Sequence, residues 1–272
     1  MRLLCIEQGG ENMKIAVVTG ASSGIGWEFV KGLDKNEALD EIWVIARRRE
    51  RLNELAGQTK TSVRVIPMDL TEEESFEAYR RLLEEIRPEI HVLVNNSGFG
   101  VFGAFAERPL EQQLKIIDLN DKALVAMTYL SLPYMKTGDM ICNIASSSAF
   151  QPVPYQAVYG SSKAFVLSFS RALNMELKPR GIRVMAVCPH WCKTEFFDTA
   201  VTDDTIVYYN FFNTPGEVVE TAMRNMKKGR DVSLAGIKIK LQRLEVKILP
   251  HWLVMRIWCI QQKKPIGMKK ER

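Results

Sequence analysis

Six short β-branched runs alternate with segments of helical period along this chain, and the first runs straight into a glycine-rich turn. Ile15-Ala16-Val17-Val18-Thr19 leads into Gly20-Ala21-Ser22-Ser23-Gly24-Ile25-Gly26, after which Trp27 to Leu33 continue with helical spacing. Further strand-like runs fall at residues 41–46, 63–68, 90–95, 140–144 and 182–187. Helical segments at about 49–57, 71–87, 109–134 and 156–178 separate them, the second opened by Thr71 as an N-cap with Glu72, Glu73 and Glu74 in its first turn. Parallel neighbours need right-handed crossovers, so the pattern predicts an α/β fold: one doubly wound, mostly parallel sheet with helices on both faces.

The expected strand order is 3-2-1-4-5-6, with a seventh strand near residues 231–235. Ligands of such sheets lie beyond the carboxyl ends of the strands, where the order reverses. The glycine loop, Asn95-Asn96-Ser97-Gly98, Ser146 and Pro189-His190 each follow a strand end. They should meet on one edge.

The 272 residues suit one domain, assigned to 14–237. Residues 1–13 read as a disordered or non-native leader, because the first strand begins right after Met13-Lys14 and the codons of Gly9-Gly10-Glu11 could encode a bacterial ribosome-binding sequence. The apolar run Leu3-Leu4-Cys5-Ile6 is too short for a signal peptide, and no stretch of eighteen uncharged apolar residues is present. Five cysteines in no even framework suit a reducing cytosol. Cys188, His190 and Cys192 lack a second Cys/His pair at zinc-like spacing, so no metal is expected. Charge is segregated instead. Residues 238–272 carry ten Lys/Arg against two Glu, while the whole chain is only +5. Leu241, Leu244, Ile248, Trp252 and Trp258 lie among those cations. This basic amphipathic extension could cover a pocket, join two subunits, or rest on an anionic membrane.

Chemistry enters with Tyr159 and Lys163, four residues apart in Tyr-Gly-Ser-Ser-Lys, and Ser146 upstream. Alone, a tyrosine or a lysine is too basic to exchange protons at neutrality. On one helical face the ammonium of Lys163 can draw down the pKa of Tyr159. The glycines, spaced Gly-x-x-x-Gly-x-Gly, allow a tight turn and close approach of a pyrophosphate to an open helix N-terminus. After the second strand the chain has Arg47-Arg48-Arg49 where an acidic residue would favour the ribose hydroxyl of NAD, so NADP(H) is preferred over NAD(H), with Arg47 as the chief phosphate clamp beside Arg48 and Ser22.

Taken together, the chain resembles the short-chain dehydrogenase/reductase family from Lys14 to about Ala235, on its TGASSGIG loop, Asp69-Leu70, Asn95-Asn96-Ser97-Gly98, Asn120, Ser146, Tyr159/Lys163, and Pro189 with Thr194. The resemblance implies a single Rossmann-type domain and a ketone/secondary-alcohol oxidoreductase. It implies cofactor contacts from Gly20, Ser22, Ser23, Gly24, Ile25, Gly26, Arg47, Arg48, Asp69, Leu70, Asn95, Ser97, Tyr159, Lys163, Pro189 and Thr194. Ser146 would hold the reacting oxygen, Tyr159 would exchange its proton, Lys163 would bind the nicotinamide ribose, and Asn120 would anchor a water leading to solvent.

Three positions depart from the family pattern: Ser97 replaces alanine, His190 replaces the glycine after Pro189, and the basic extension follows the last strand. His190 could be a pocket wall or a substrate ligand. The stretch after Pro189 supplies Trp191, Phe196, Phe197, Tyr208, Tyr209, Phe211 and Phe212, which either line a pocket or form a core beneath the loop. Lining would favour a lipophilic ketone or alcohol, a hydroxysteroid or bile acid among the options, bound by His190, Trp191, Phe196 and Phe197 with Ser146 and Tyr159. The expected partners are that small molecule and other copies of the chain in a homodimer or homotetramer, in the cytoplasm, with peripheral membrane contact through the extension and no nucleic acid. The competing reading is an NADP(H)-sensing binding protein that uses the extension for a membrane or protein partner.

Overall fold

In the computed structural model, which describes residues 13–266, β1 (Lys14–Thr19) is the buried centre of the sheet. Alternation along this strand explains the two-sided core. Ala16 and Val18 face α1 (Gly24–Asn36), whereas Ile15 and Val17 face the opposite layer. β2 (Glu41–Ala46), α2 (Arg49–Ala56), β3 (Ser62–Pro67), α3 (Glu73–Ile86) and β4 (Glu89–Asn95) follow. After α4 (Leu110–Ile117) and α5 (Ala123–Ser131) come β5 (Met140–Ile144), α6 (Ala157–Leu177) and β6 (Arg183–Val187).

A two-residue ladder of β7 (Trp191–Cys192) and β8 (Phe212–Asn213) closes a loop that contains α7 (Phe196–Ala200). Next are α8 (Pro215–Lys227), capped by a reciprocal Thr214/Glu217 box, and β9 (Val232–Ser233). The seven-stranded sheet has the order β3-β2-β1-β4-β5-β6-β9 with every neighbour parallel, as the alternation predicted. One layer holds Phe29, Leu33, Val218 and Met223. The other holds Tyr79, Leu83, Ala123 and Met127. The order reverses at β1 and β4, directly beneath the glycine loop.

Two helix expectations change. Thr71 does not cap a helix: its hydroxyl and backbone N–H both turn to the Asp69 carboxylate, at 2.8 and 3.0 Å, so α3 starts at Glu73. The helix expected over 109–134 is not continuous. A π-turn at Asp118–Lys122 separates α4 from α5, and its wider backbone carries Asn120 inward.

The extension forms α9 (Ile237–Ile248) and α10 (His251–Gln261). Ile239 anchors α9 beside Val166 and Cys188, and α10 reaches the α7 loop through Trp258. Among the described residues no helix is long and apolar enough to cross a membrane. The expected leader at 1–13 lies, but for Met13, outside the described residues.

Candidate active site

The glycine loop is shaped by what its neighbours leave no room for. A Cβ on Gly26 would stand 2.4 Å from both the Gly20 carbonyl oxygen and Asn96 Nδ2, and Gly20 itself has φ of +65°. Thr19 Oγ1 accepts from the backbone N–H groups of Asn96 and Ser97, each at 3.0 Å, while Asn96 Nδ2 donates to the carbonyls of Thr19 and Gly20. β1 and β4 are thereby stitched together where they end. Ser23, at the N-cap of α1, makes no side-chain capping bond, so the helix presents its first amides to the cavity mouth.

The basic triplet divides its work. Arg47 has a side chain 77% exposed and reaches Asp69 only at 3.8 Å. Arg48 is fixed: Nε and Nη2 donate to Ser22 Oγ at 3.3 and 3.1 Å, and Nη2 also pairs with Glu195 Oε2 at 2.7 Å. That partner holds the Glu195 carboxyl below its ordinary range. Of the two arginines, the one expected to be the chief clamp is the more loosely held and exposed, and its neighbour is preorganised.

Ser146 caps the turn that follows β5, and its Oγ accepts from the N–H of Ser148 at 3.2 Å. Tyr159 and Lys163 project from α6, one turn apart. Tyr159 is packed between Phe102 and Phe196, with ring centroids 5.4 and 5.3 Å away. Burial pushes its phenol up to about 12, against a smaller opposite pull from Ser146. The expected lowering by Lys163 is not what this arrangement produces. Lys163 Nζ donates to the Ile144 carbonyl at 2.9 Å and lies 5.8 Å from the centre of the Tyr159 ring. Burial lowers the pKa of Lys163 itself to about 8, partly offset by the Asp121 carboxylate and by Cys188. Asp121, in the π-turn, is itself raised to about 6 by burial, less an opposing effect of Lys163.

Asn120 is a brace. Its Oδ1 accepts from Phe99 N–H, and its Nδ2 donates to Phe99 O and Ser162 Oγ, all at 3.0 Å. Asn95 is likewise turned away, donating to Thr128 Oγ1 and Asn143 Oδ1. Sequence reasoning placed it at the cofactor, whereas Asn96 supports the loop. The two adjacent amides were indistinguishable until strand register decided which points down into the sheet.

One cavity of about 430 Å³ unites the rest. Gly20, Ser22, Ser23, Gly24, Ile25, Arg47, Arg48, Asp69, Leu70, Ser97, Pro189 and Thr194 line one end. Ser146, Tyr159, Lys163, His190, Trp191, Phe196 and Phe197 line the other. Gly26, Asn95 and Asn120 sit behind the wall. Of the aromatic segment, Tyr208, Tyr209, Phe211 and Phe212 do not reach the cavity. Tyr209 packs on Trp191 and Phe212, and Phe211 stacks on His190 at 4.2 Å. Asn210 Oδ1 already accepts from Phe211 N–H, so His190 Nε2 carries the proton of their 2.5 Å contact and Nδ1 accepts from Ser147 Oγ. Burial lowers the pKa of this ring, leaving a neutral wall tied down at both nitrogens.

Sequence reasoning missed Phe102, Gln156, Gln242 and Trp258 in the wall. Trp258 comes from α10, stacks on Trp191 at 6.3 Å, and donates through Nε1 to Pro154 O at 2.9 Å. The amphipathic extension was the available signal for it. Among the described residues there is no cluster of His, Cys, Asp or Glu that could hold a metal ion.

The family model described as short chain dehydrogenase matches residues 14–205. An uncharacterised oxidoreductase of Staphylococcus epidermidis is 32% identical over 194 residues, which cover 71% of this chain and 81% of that protein. The very-long-chain 3-oxoacyl-CoA reductase of Anas platyrhynchos is 37% identical over 191 residues, 66% of this chain and 60% of that one. A short-chain dehydrogenase from Sphingobium yanoikuyae, solved in complex with NADPH, superposes with a TM-score of 0.74 at 28% identity, covering 86% of this chain and 92% of its own. Carrying the matched segment through all but the last strand of the sheet and the whole of α6, the chain belongs to the short-chain dehydrogenase family of oxidoreductases.

Proposed function

We propose that the protein is an NADP(H)-dependent oxidoreductase that interconverts a lipophilic ketone and its secondary alcohol. The observation that carries this reading is the convergence of Ser146, Tyr159 and Lys163 on the same cavity as the glycine loop. The residues fit a dinucleotide: Gly20 and Gly26 leave no space that a side chain could fill, and α1 presents uncapped amides. Ser22 with Arg48, and Arg47 beside them, support a preference for the extra phosphate of NADP(H). The NADPH complex of the Sphingobium yanoikuyae relative agrees with this.

A bound nicotinamide supplies or accepts the hydride. The chain does the rest. Ser146 Oγ is the hydroxyl placed to donate to a carbonyl oxygen as negative charge builds there. Tyr159, kept protonated by burial, is a phenol at neutral pH and so a donor to that oxygen, which favours the reductive direction. Lys163, still largely an ammonium at pH 7, stabilises the phenolate left after donation. Asn120 holds the 98–99 loop against α6 and keeps one lone pair for a water on the way to solvent. The aromatic wall of Phe102, Trp191, Phe196 and Trp258 supports a lipophilic substrate.

Following NADPH and NADH absorbance separately over a panel of ketones tests this reading. Tyr159→Phe should cut kcat by about 10²–10⁴-fold with NADPH affinity kept, and Arg48→Ala should erode the preference for NADPH. A marked preference for NADH in the parent protein would sink the arginine assignment. A chain that binds NADPH yet turns over no carbonyl would be the sensor instead.

The same reading places the protein in the cytoplasm as a homodimer or homotetramer, supported by the exposed apolar face of Leu110, Leu114, Ile117 and Tyr129 on α4 and α5. The outward stripe Ile237, Leu241, Leu244 and Ile248 on α9, flanked by Lys238, Lys240 and Lys247, supports peripheral contact with anionic lipid. Co-sedimentation with phosphatidylserine vesicles, absent with phosphatidylcholine and lost in high salt, is the expected behaviour. A native mass that falls on Ile248→Asp would assign that stripe to a subunit contact.

A further inference from the structure

Three side-chain atoms in the cavity wall are buried without any hydrogen-bond partner: Ser148 Oγ, Gln156 Nε2 and Gln242 Oε1. Buried polar groups are normally satisfied, so three orphans on one wall mark a place where a partner belongs. They come from three elements that pack together. Ser148 lies in the turn after β5, Gln156 is the N-cap of α6, and Gln242 sits on the inner side of α9, which packs on that turn with Arg243 over the Phe150 ring at 5.1 Å. Three neighbouring polar side chains are already engaged. Trp258 Nε1 is used by Pro154, both nitrogens of His190 are used, and Ser146 belongs to the reacting end.

The three atoms offer opposite roles: an amide N–H donor, an amide carbonyl acceptor and a hydroxyl that can do either. The charged residues of the cavity lie elsewhere, at the glycine-loop end or, for Lys163, against Ile144 O. A carboxylate would leave the Gln242 oxygen facing negative charge, and an ammonium would meet the Gln156 N–H. A neutral group that both donates and accepts fits.

We propose that Ser148, Gln156 and Gln242 form a second polar subsite, and that the substrate is a lipophilic ketone bearing a remote neutral hydroxyl or carboxamide that docks there while its carbonyl faces Tyr159. This rests on the reading of the cavity as a carbonyl-reducing site. It narrows the substrate class from apolar ketones to hydroxy- or amide-substituted ones and excludes keto acids as preferred ligands. A site built to hydrogen-bond a substrate group discriminates against an analogue lacking it far more than an apolar wall discriminates by size. The subsite is therefore a specificity device rather than part of the proton transfer.

The test uses matched ketones that differ only at the remote end, carrying a methyl, a hydroxyl, a carboxamide or a carboxylate, with the full chain. The parent protein should favour the hydroxyl or carboxamide over the methyl compound by at least about tenfold in kcat/KM, and the carboxylate should gain nothing. In Gln242→Met and Gln156→Met, which keep side-chain length, that ratio should collapse, whereas calorimetric NADPH affinity should be unchanged. The same ratio is then measured as Kd by calorimetry with the corresponding ligands. A ratio near one in the parent protein, meaning that trapped water alone satisfies the three atoms, overturns the subsite. So does a ratio that survives both substitutions. Selective binding that is lost in the variants without any turnover would uphold the subsite and sink the reductase reading.

Discussion

The two ends of the cavity are built in opposite ways. At the glycine-loop end, backbone is held by short polar side chains: Thr19 and Asn96 tie the ends of β1 and β4 together by four hydrogen bonds of 3.0–3.1 Å, and a single added methyl at Gly26 has nowhere to go. At the other end, side chains meet side chains. Phe102, Trp191, Phe196 and Trp258 come from four separate segments, and Ser148, Gln156 and Gln242 are left with bonds to make. The first end is a fixed fitting for a constant ligand, and the second is an adjustable wall. Hydrogen-bonded loops tolerate almost no change in volume, whereas contacts between aromatic rings can be re-made by rotation.

Gly26→Ala is the strongest way to break that contrast. Its Cβ would stand 2.4 Å from a main-chain oxygen held by β1 and from an amide nitrogen held by Thr19 O and Gly20 O, so neither can retreat cheaply. We expect a stability loss on the order of 1–3 kcal/mol from overpacking and a fall in turnover of about 100-fold from the displaced cofactor. Thermal melting and NADPH titration check both. Native-like NADPH affinity in this variant would mean that the loop is as adaptable as the aromatic end.

Trp258→Ala probes the opposite wall and should do less. It removes the stack on Trp191 and the bond to Pro154 but touches nothing at the glycine loop. The KM for lipophilic ketones should rise roughly tenfold, the scale of a lost apolar contact, while NADPH affinity stays within about twofold because the sites are well separated. Equal losses for ketone and cofactor would show that α10 supports the whole domain and not one wall.

The same contrast explains what the sequence disclosed. The glycine loop and the Tyr159/Lys163 spacing are local: a few adjacent residues specify a turn or a helical face, and the geometry follows. The alternation of strands and helices was legible for the same reason, down to the seventh strand at Val232–Ser233. Trp258, Gln242 and Phe102 were not legible as cavity residues, because an amphipathic pattern states which face is apolar and not which distant surface it will cover. The direction of Lys163 was hidden too. Four-residue spacing puts the lysine beside the tyrosine, but the carbonyl of Ile144, supplied by β5, captures its protons. Asn95 and Asn96 differ only by strand parity, which sends one into the sheet and the other to the loop.

The smallest effect concerns a residue that sequence reasoning did not single out. Asp121 has a buried Oδ1 without a hydrogen-bond partner and lies in the π-turn beside Asn120, where its negative charge raises the pKa of Lys163 against the larger lowering effect of burial. If the Lys163 ammonium supports the reductive step, kcat/KM for ketone reduction should decline as pH rises through about 8. Asp121→Asn removes a charge that raises the lysine pKa, so the alkaline limb should move to lower pH. Because burial sets the Asp121 carboxyl at about 6, the carboxylate of the parent protein is mostly neutralised below that pH, and there the two proteins should converge. Above it they should separate, with the variant slower, while the dependence on ketone structure stays the same. Parallel pH profiles displaced by a constant factor would show that Asp121 only packs the π-turn, and a shift to higher pH would reverse the sign of the assigned interaction.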